Sequence, residues 1–260
     1  MRRPTALAAA ALTAVALLSA CGSSDDDATP AASSGGLTGE ITVFAAASLT
    51  GSFTELGHAF EAAHPGTKVT FSFGPSSGLA TQITSGSPAD VFASASAKTM
   101  DTVVAAKAAA TPTTFAKNVM EIAVPPDNPA KITQVADLAE PEVKVALCAA
   151  EVPCGVGARA VFEKAKLTVK PVTEEVDVKA TLTKVQLGEV DAGVVYVTDV
   201  LAAGDKVKGI PVPADVNVPT TYPISTLTGS RNAALAQAYV DYVLSPDGER
   251  ALTAAGFEKP

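Results

Sequence analysis

The stretch ITVFAAASLTGSF, residues 41–53, decides the fold of this chain. Its first four residues are apolar or β-branched and predict a short buried strand, and the apolar spacing from Phe53 to Phe60 predicts a helix. Ser48 lies between the two, where the helix would begin. The first N–H groups of a helix have no partner within it, and its dipole adds partial positive charge there. A strand that leads into a serine at a helix start therefore predicts an anion-binding corner.

The stretch VTFSFGPSSGLATQI, residues 69–83, repeats this arrangement. Ser76 and Ser77 follow a predicted strand and stand where a second helix would begin. Taken singly, each serine is also explained as a helix N-cap without any ligand, a role worth ~1 kcal/mol. Our hypothesis is that the two serine-capped helix starts face one cleft.

The composition excludes several classes of function. The chain has 260 residues, of which 47% are hydrophobic, so it can bury a large core. Trp is absent and aromatic residues make up 5%, which disfavours an aromatic-lined groove for sugars or single-stranded nucleic acid. The 27 acidic residues outnumber the 19 basic ones, so the basic face that nucleic acid requires is not expected. An acidic protein that binds an anion must do so through dipoles aimed locally.

The N-terminal segment predicts export and anchoring. Two arginines precede an apolar stretch that ends in LLSAC, a pattern typical of a secretory signal and too short for a transmembrane helix. We assign residues 1–20 to a signal peptide. The run LSAC resembles a bacterial lipobox, which predicts lipidation of Cys21; an ordinary cleaved signal with an incidental cysteine is the alternative. Residues 21–37, rich in Gly, Ser, Ala and Asp, predict a flexible tether that holds the domain outside the cytoplasm at the cell membrane.

Cys148 and Cys154 are the other two cysteines, and they lie in LCAAEVPCG. In an exported protein a close pair of this kind most often forms a disulfide that closes a small loop. A metal site is the alternative, but no histidine lies nearby and the spacing of a four-ligand site is missing. We therefore predict a disulfide and no direct metal ligands.

Strand-like and helix-like segments alternate from residue 40 onward, which predicts an α/β fold. The stretch 115–129 is predicted as a long strand that leaves a first lobe, and the stretch 212–227 as the return crossing. We predict a periplasmic-binding-type arrangement of two lobes, each a mostly parallel sheet flanked by helices, joined by two crossover hinge strands. Residues 38–118 with 221–260 form lobe 1, and residues 119–220 form lobe 2. Such a hinged clamp holds a ligand between its lobes.

A serine hydrolase is the alternative from a different class. Residues 74–78, GPSSG, fit the G-x-S-x-G pattern with Ser76 as the nucleophile. In that fold the base histidine follows the serine, whereas His58 and His64 both precede it. The two histidines are six residues apart and do not make an i, i+4 metal pair either. A Ser–Lys arrangement stays open, but no lysine is placed to favour it. We predict a binding protein without catalytic residues.

Six motifs carry a family resemblance: ITVFAAASLT, SFGPSSGLATQI, GSPADVFASAS, VPCG, DVKATL and GVVYVTDV. In this order and spacing they resemble the molybdate-binding proteins of ABC importers, over residues 38–260. The resemblance implies that an oxyanion is held in the cleft by two serines, a tyrosine and backbone N–H groups from two loops. Carried over motif by motif, these donors are the hydroxyl-bearing Ser48 and Ser76, Cys154 and Val178 through their backbones, and Tyr196 through its hydroxyl.

Two details of the carried-over site stay open. Cys154 stands where a small residue such as Ala is usual in the family, which a backbone donor tolerates. Ser77 is the alternative to Ser76 as a donor. A site of N–H and O–H donors without a carboxylate acceptor suits molybdate or tungstate, which carry no proton near neutral pH, and disfavours phosphate, which carries one.

The resemblance completes the set of expected partners. The ligand is molybdate or tungstate, with no cofactor, and the protein partner is a membrane ABC permease. We expect a monomer that reaches the membrane through the lipid on Cys21 and binds no nucleic acid. A binder of sulfate or another small anion is the alternative from the same class.

Overall fold

The computed structural model describes residues 36–260, which form one compact unit. The predicted signal peptide, the lipidation site at Cys21 and nearly all of the predicted tether lie outside the described residues. Among the described residues, no helix has both the length and the apolar character that crossing a membrane requires.

Residues 36–260 form alternating strands and helices. In chain order these are β1 (Gly39–Ala46), α1 (Thr50–Ala63), β2 (Thr67–Gly74), α2 (Ser76–Thr84), β3 (Val91–Ala93), α3 (Ala97–Ala105), β4 (Thr113–Asn118), β5 (Met120–Val124), β6 (Val145–Cys148), α4 (Pro153–Ala165), β7 (Thr173–Glu175), α5 (Val178–Gln186), β8 (Ala192–Tyr196), α6 (Val197–Ala203), β9 (Lys208–Pro211), β10 (Thr220–Thr226), α7 (Ala233–Leu244) and α8 (Pro246–Ala254). Short 3₁₀ turns lie at Ala47–Leu49, Val135–Ala139 and Gly204–Lys206.

The first sheet has the strand order β2-β1-β3-β10-β4. β1 pairs in parallel with β2 and β3, and β10 runs antiparallel between β3 and β4. Successive side chains of β1 point to opposite faces of the sheet. Ile41 and Val43 pack against α1 and α7, whereas Phe44 packs with residues of α2 and α3 on the other face. Burial on both faces explains why β1 is apolar almost throughout from Ile41 to Ala46.

The second sheet, with the order β7-β6-β8-β5-β9, has the same arrangement. β6 pairs in parallel with β7 and β8, and β5 runs antiparallel between β8 and β9. Its core joins β5, β6 and β8 to α4 and α5. In each sheet four strands run in one direction and one is reversed, so the sheets are mixed. The predicted α/β fold with helix-flanked sheets is confirmed. The reversed strands, β5 and β10, are the first strands in the chain after each crossing between the sheets.

The chain crosses between the sheets at two neighbouring places. The stretch 115–129, predicted as one long strand, is divided at Val119 into β4 of the first sheet and β5 of the second. The Val119 N–H donates to Oδ1 of Asn118 at 3.0 Å. Asn217, in the return crossing, accepts the Met120 N–H at 3.1 Å and donates to the Met120 carbonyl at 2.8 Å. The two crossings are therefore bonded directly to each other.

Candidate functional site

A small cavity lies where strand ends and helix starts from both sheets meet. All five residues carried over from the family motifs line it, together with eight others. The lining residues are Ala46, Ala47, Ser48, Gly74, Pro75, Ser76, Ala95, Val152, Pro153, Cys154, Asp177, Val178 and Tyr196. Each lies at the carboxyl end of β1, β2, β3, β6, β7 or β8 or within a few residues after it. The carboxyl ends of parallel strands meet at one edge of a sheet, which is where α/β folds place their ligands.

Helix starts supply backbone donors to this cavity. α2 begins at Ser76, α4 at Pro153 and α5 at Val178. The first internal bond of α4 is donated by the Val156 N–H to the Val152 carbonyl at 3.0 Å. Because proline has no N–H, Cys154 provides the first free donor of α4. In α5 the first residue, Val178, provides the first free N–H. The dipoles of these helices add positive potential at the same point.

The two serine hydroxyls are buried, and each oxygen has one partner in the protein. Ser76 Oγ accepts the Ala95 N–H at 3.0 Å, so the hydroxyl hydrogen of Ser76 remains free to be donated. Ser48 Oγ lies 2.9 Å from the Tyr222 hydroxyl, and either group can donate. The sequence analysis missed Ala95 and Tyr222, because no local pattern brings β3 and β10 next to these helix starts.

The Tyr196 hydroxyl is buried and makes no hydrogen bond of ordinary geometry to the described residues, although the side chains of Thr220 and Tyr222 lie near it. Tyr196 ends β8 and is 1% exposed. A buried hydroxyl without a partner is costly, and in a native structure it calls for an explanation such as a ligand. Burial, with a smaller contribution from the negative charge of Asp199, raises the pKa of Tyr196 well above its usual value. The hydroxyl therefore keeps its proton near neutral pH and can act as a donor.

Two carboxyl groups lie beside the donors. Asp177 lines the cavity, whereas the sequence predicted a site without a carboxylate. The Asp177 carboxylate caps α5 by accepting the Ala180 N–H at 2.9 Å. Asp199 is fully buried, lies 2.9 Å from Lys179 Nζ and accepts the Tyr196 N–H at 3.2 Å. Burial raises the pKa of Asp199 even though Lys179 opposes the shift. Both carboxylates are thus engaged by groups of the protein itself.

A disulfide fixes the start of α4. Cys148 at the end of β6 is bonded to Cys154, with 5.7 Å between their Cα atoms. A Cβ added at Gly155 would overlap the carbonyl oxygen of Ala149, so the loop lies directly against the first turn of the helix. Arg159 donates to the carbonyls of Cys148 at 3.0 Å and of Gly155 at 3.2 Å. The backbone N–H of Cys154 is therefore held from both sides.

The remaining candidates do not line the cavity. Ser77 does not line it, so the structure places Ser76 rather than Ser77 there. His58 and His64 do not line it either, and Ser76 Oγ has the Ala95 N–H as its partner rather than a base. In the described part of the chain, no three His, Cys, Asp or Glu side chains cluster as a metal site would require.

The cavity is sized for one small ion. Its volume is about 20 Å³, measured for the centre of a water-sized sphere. A sphere of that volume, enlarged by the ~1.4 Å radius of the water itself, has a radius of about 3 Å. This space accommodates a single tetrahedral oxyanion.

Comparisons with known proteins agree with the fold and with the resemblance predicted from the motifs. The sequence profile of the bacterial extracellular solute-binding protein family matches residues 41–258. The molybdate-binding protein ModA of Mycobacterium tuberculosis H37Rv is 43% identical over 247 residues, which cover 95% of this chain and 94% of the relative.

Two solved structures share the fold. The periplasmic molybdate-binding protein of Azotobacter vinelandii aligns with a TM-score of 0.76 and 20% identity, covering 85% of this chain and 99% of that chain. The sulfate-binding protein SubI of Mycobacterium tuberculosis H37Rv aligns with a TM-score of 0.74 and 18% identity, covering 85% and 86%. At these identities the two structures support the fold and do not identify the anion that this chain binds.

Proposed function

Because this chain belongs to the bacterial extracellular solute-binding protein family, we propose that it captures molybdate or tungstate and delivers the ion to a membrane ABC importer. Members of this family act outside the cytoplasm and bind solutes for transport, so the chain is not an enzyme. The name of the 43% identical relative, a molybdate-binding protein, supports this choice of ligand.

The observation that carries the proposal is the convergence of donors on one cavity from both sheets. The first sheet contributes Ser48 and Ser76, and the second contributes Cys154, Val178 and Tyr196. The unpartnered Tyr196 hydroxyl supports the ligand most directly, since an oxyanion oxygen would satisfy it.

The strength of such a site can be estimated from its donors. A hydrogen bond to a charged group contributes ~1.5–3 kcal/mol, so five donors supply very roughly 8–15 kcal/mol. Association costs at least ~4 kcal/mol of this. The remainder allows a dissociation constant from roughly micromolar to nanomolar. No net positive charge of the protein is needed, because the donors act at close range.

Charge state and size separate the candidate anions. Molybdate and tungstate are fully ionised near neutral pH and accept at every oxygen, whereas phosphate retains a proton that needs an acceptor. Asp177 is the acidic residue of the cavity wall, and its Oδ1 accepts the Ala180 N–H as the cap of α5, so this oxygen is directed at the helix rather than at a ligand. Sulfate also lacks a proton, but its bonds to oxygen are shorter, so donors that all contact a molybdate ion would contact sulfate more loosely.

We also propose that the two sheets are the cores of two hinged lobes. The predicted bounds, residues 38–118 with 221–260 and residues 119–220, follow the division of strands between the sheets. The neighbouring crossings bonded through Asn217 suit a hinge, because few backbone torsions there would have to change for the cavity to open.

The remaining elements of the proposal concern the N-terminus and the assembly. We propose that residues 1–20 are a signal peptide, that Cys21 carries the lipid, and that the monomer remains at the cell membrane near its permease. The lipobox-like run LSAC supports this assignment.

Calorimetric titration of residues 36–260 with molybdate, tungstate, sulfate and phosphate tests the proposal. We expect molybdate and tungstate to bind with sub-micromolar dissociation constants, and sulfate to bind at least about a hundredfold more weakly. Tight binding of sulfate without binding of molybdate would show that sulfate, the alternative anion, is the ligand. Absence of binding by all four anions would refute the proposal.

A further inference from the structure

Tyr222 touches the donors of both sheets without lining the cavity. It lies on β10, the strand that the chain forms on its return to the first sheet, and it is fully buried. Its hydroxyl lies 2.9 Å from Ser48 Oγ. Its ring meets the ring of Tyr196 edge to face, with 6.1 Å between the centroids.

The position of the Tyr222 ring is fixed by its aromatic neighbours. Phe115 of β4 and Phe257, which follows α8, contact it edge to face at centroid distances of 6.2 and 5.3 Å. Edge-to-face contacts of this kind favour the observed orientation of the ring. The hydroxyl of Tyr222 therefore cannot swing away from Ser48 without repacking the core of the first sheet.

A bound oxyanion would decide which way the bond between the two hydroxyls points. An ion without protons only accepts, so Ser48 must donate its single hydrogen to the ion. Ser48 Oγ can then only accept from Tyr222. Burial raises the pKa of Tyr222 well above its usual value, so its hydrogen is present at any physiological pH. The order of donation becomes Tyr222 to Ser48 to the anion.

Ser76 shows the same design with a backbone donor. The Ala95 N–H donates to Ser76 Oγ, which leaves the Ser76 hydrogen for the cavity. Each serine oxygen then accepts one hydrogen bond from the protein, and each serine hydroxyl donates one to the ion in the cavity. A hydroxyl that accepts a bond becomes polarised and donates more strongly.

We propose that Tyr222 is a positioning residue of the oxyanion site, which orients the Ser48 hydroxyl by donating to it and strengthens the bond from Ser48 to the ligand. The inference rests on the proposed function, since it requires an oxyanion beside Ser48. It goes beyond the family motifs, none of which includes Tyr222.

The test is a double-mutant cycle measured by calorimetry with molybdate. Tyr222→Phe keeps the ring and its packing and removes only the hydroxyl. We expect it to weaken binding by about 5- to 10-fold in the wild-type background, the usual value of one hydrogen bond. In a Ser48→Ala background, where the accepting oxygen is absent, the same change should have no effect on affinity.

Tyr239→Phe is the matched control. Tyr239 is also fully buried in the core of the first sheet, and within residues 36–260 its hydroxyl has no hydrogen-bond partner. Removing it changes the same group in the same core without touching the site, so affinity should stay at the wild-type value.

The outcomes separate the inference from the proposed function. If the wild type binds molybdate and Tyr222→Phe binds equally well or more tightly, Ser48 does not depend on Tyr222 and the inference is wrong. An equal loss of affinity in both Ser48 backgrounds would show a general effect on the core and would also overturn it. If the wild type binds none of the anions, the proposed function fails first.

Discussion

Replacing Tyr196 with phenylalanine should stabilise the ligand-free protein and weaken its binding of molybdate. The hydroxyl that this change removes is buried, 1% of the residue being exposed, and has no partner among the described residues. A buried hydroxyl that lacks a hydrogen bond costs ~1–3 kcal/mol, and the variant avoids that cost. In a domain of this size each kcal/mol raises the melting temperature by about 2–4 °C.

The effect on binding has the opposite sign. A hydrogen bond from Tyr196 to a charged oxyanion contributes ~1.5–3 kcal/mol, so its loss should weaken binding by about 10- to 150-fold. The assay is thermal unfolding of both proteins without ligand and calorimetric titration of both with molybdate. Saturating molybdate should then raise the melting temperature of the variant by less than that of the wild type.

Tyr239→Phe separates the two effects. It also removes a buried hydroxyl that has no partner in the part of the chain that the structure describes, but this hydroxyl lies in the core of the first sheet. It should raise the melting temperature by a similar amount and leave the affinity for molybdate unchanged. The reasoning is refuted if Tyr196→Phe binds molybdate as tightly as the wild type, or if it melts at a lower temperature.

Three further variants test separate parts of the site. Ser76→Ala should weaken molybdate binding by about 10- to 150-fold in a calorimetric titration, because one donor of several is lost. If the wild type instead hydrolysed esters and this variant did not, the result would support a serine hydrolase. Replacing both Cys148 and Cys154 by alanine should lower the free energy of unfolding by about 2 kcal/mol in urea titrations, since the unfolded loop regains its freedom, and an unchanged value would contradict this account of the loop. Burial raises the pKa of Asp199 in the folded protein above its value in the unfolded chain. The carboxyl therefore contributes its full stabilisation at pH values below the unfolded pKa, and this contribution is lost as pH rises through the folded pKa. Asp199→Asn should therefore gain in melting temperature relative to the wild type as pH rises above the unfolded pKa of the carboxyl. Melting temperatures of the two proteins that change with pH in parallel would contradict the raised pKa.

The strand-to-serine corners could be predicted from sequence because their signals are local. An apolar strand, small residues and a serine before a helical repeat lie within one short stretch, and each part has a physical reason to be there. The same holds for the close cysteine pair, whose bond needs only a turn of the chain.

Contacts between distant segments could not be predicted in this way. Tyr222 is 174 residues from Ser48, and the two meet only because β10 inserts between β3 and β4 in the reversed direction. The division of the long apolar stretch at Val119 likewise depends on pairing in two different sheets. The sequence around Asp177 is typical of a helix cap. Its place in the cavity wall depends on the strand ends of both sheets meeting there.

The most direct measurement is a crystal structure of the protein with tungstate, in which the anomalous scattering of tungsten locates the ion. The account predicts one strong anomalous peak in the cavity, with oxygens about 2.7–3.1 Å from the hydroxyls of Ser48, Ser76 and Tyr196 and from the backbone nitrogens of Cys154 and Val178. A peak outside this cavity, or an ion that leaves the Tyr196 hydroxyl without a partner, would contradict it.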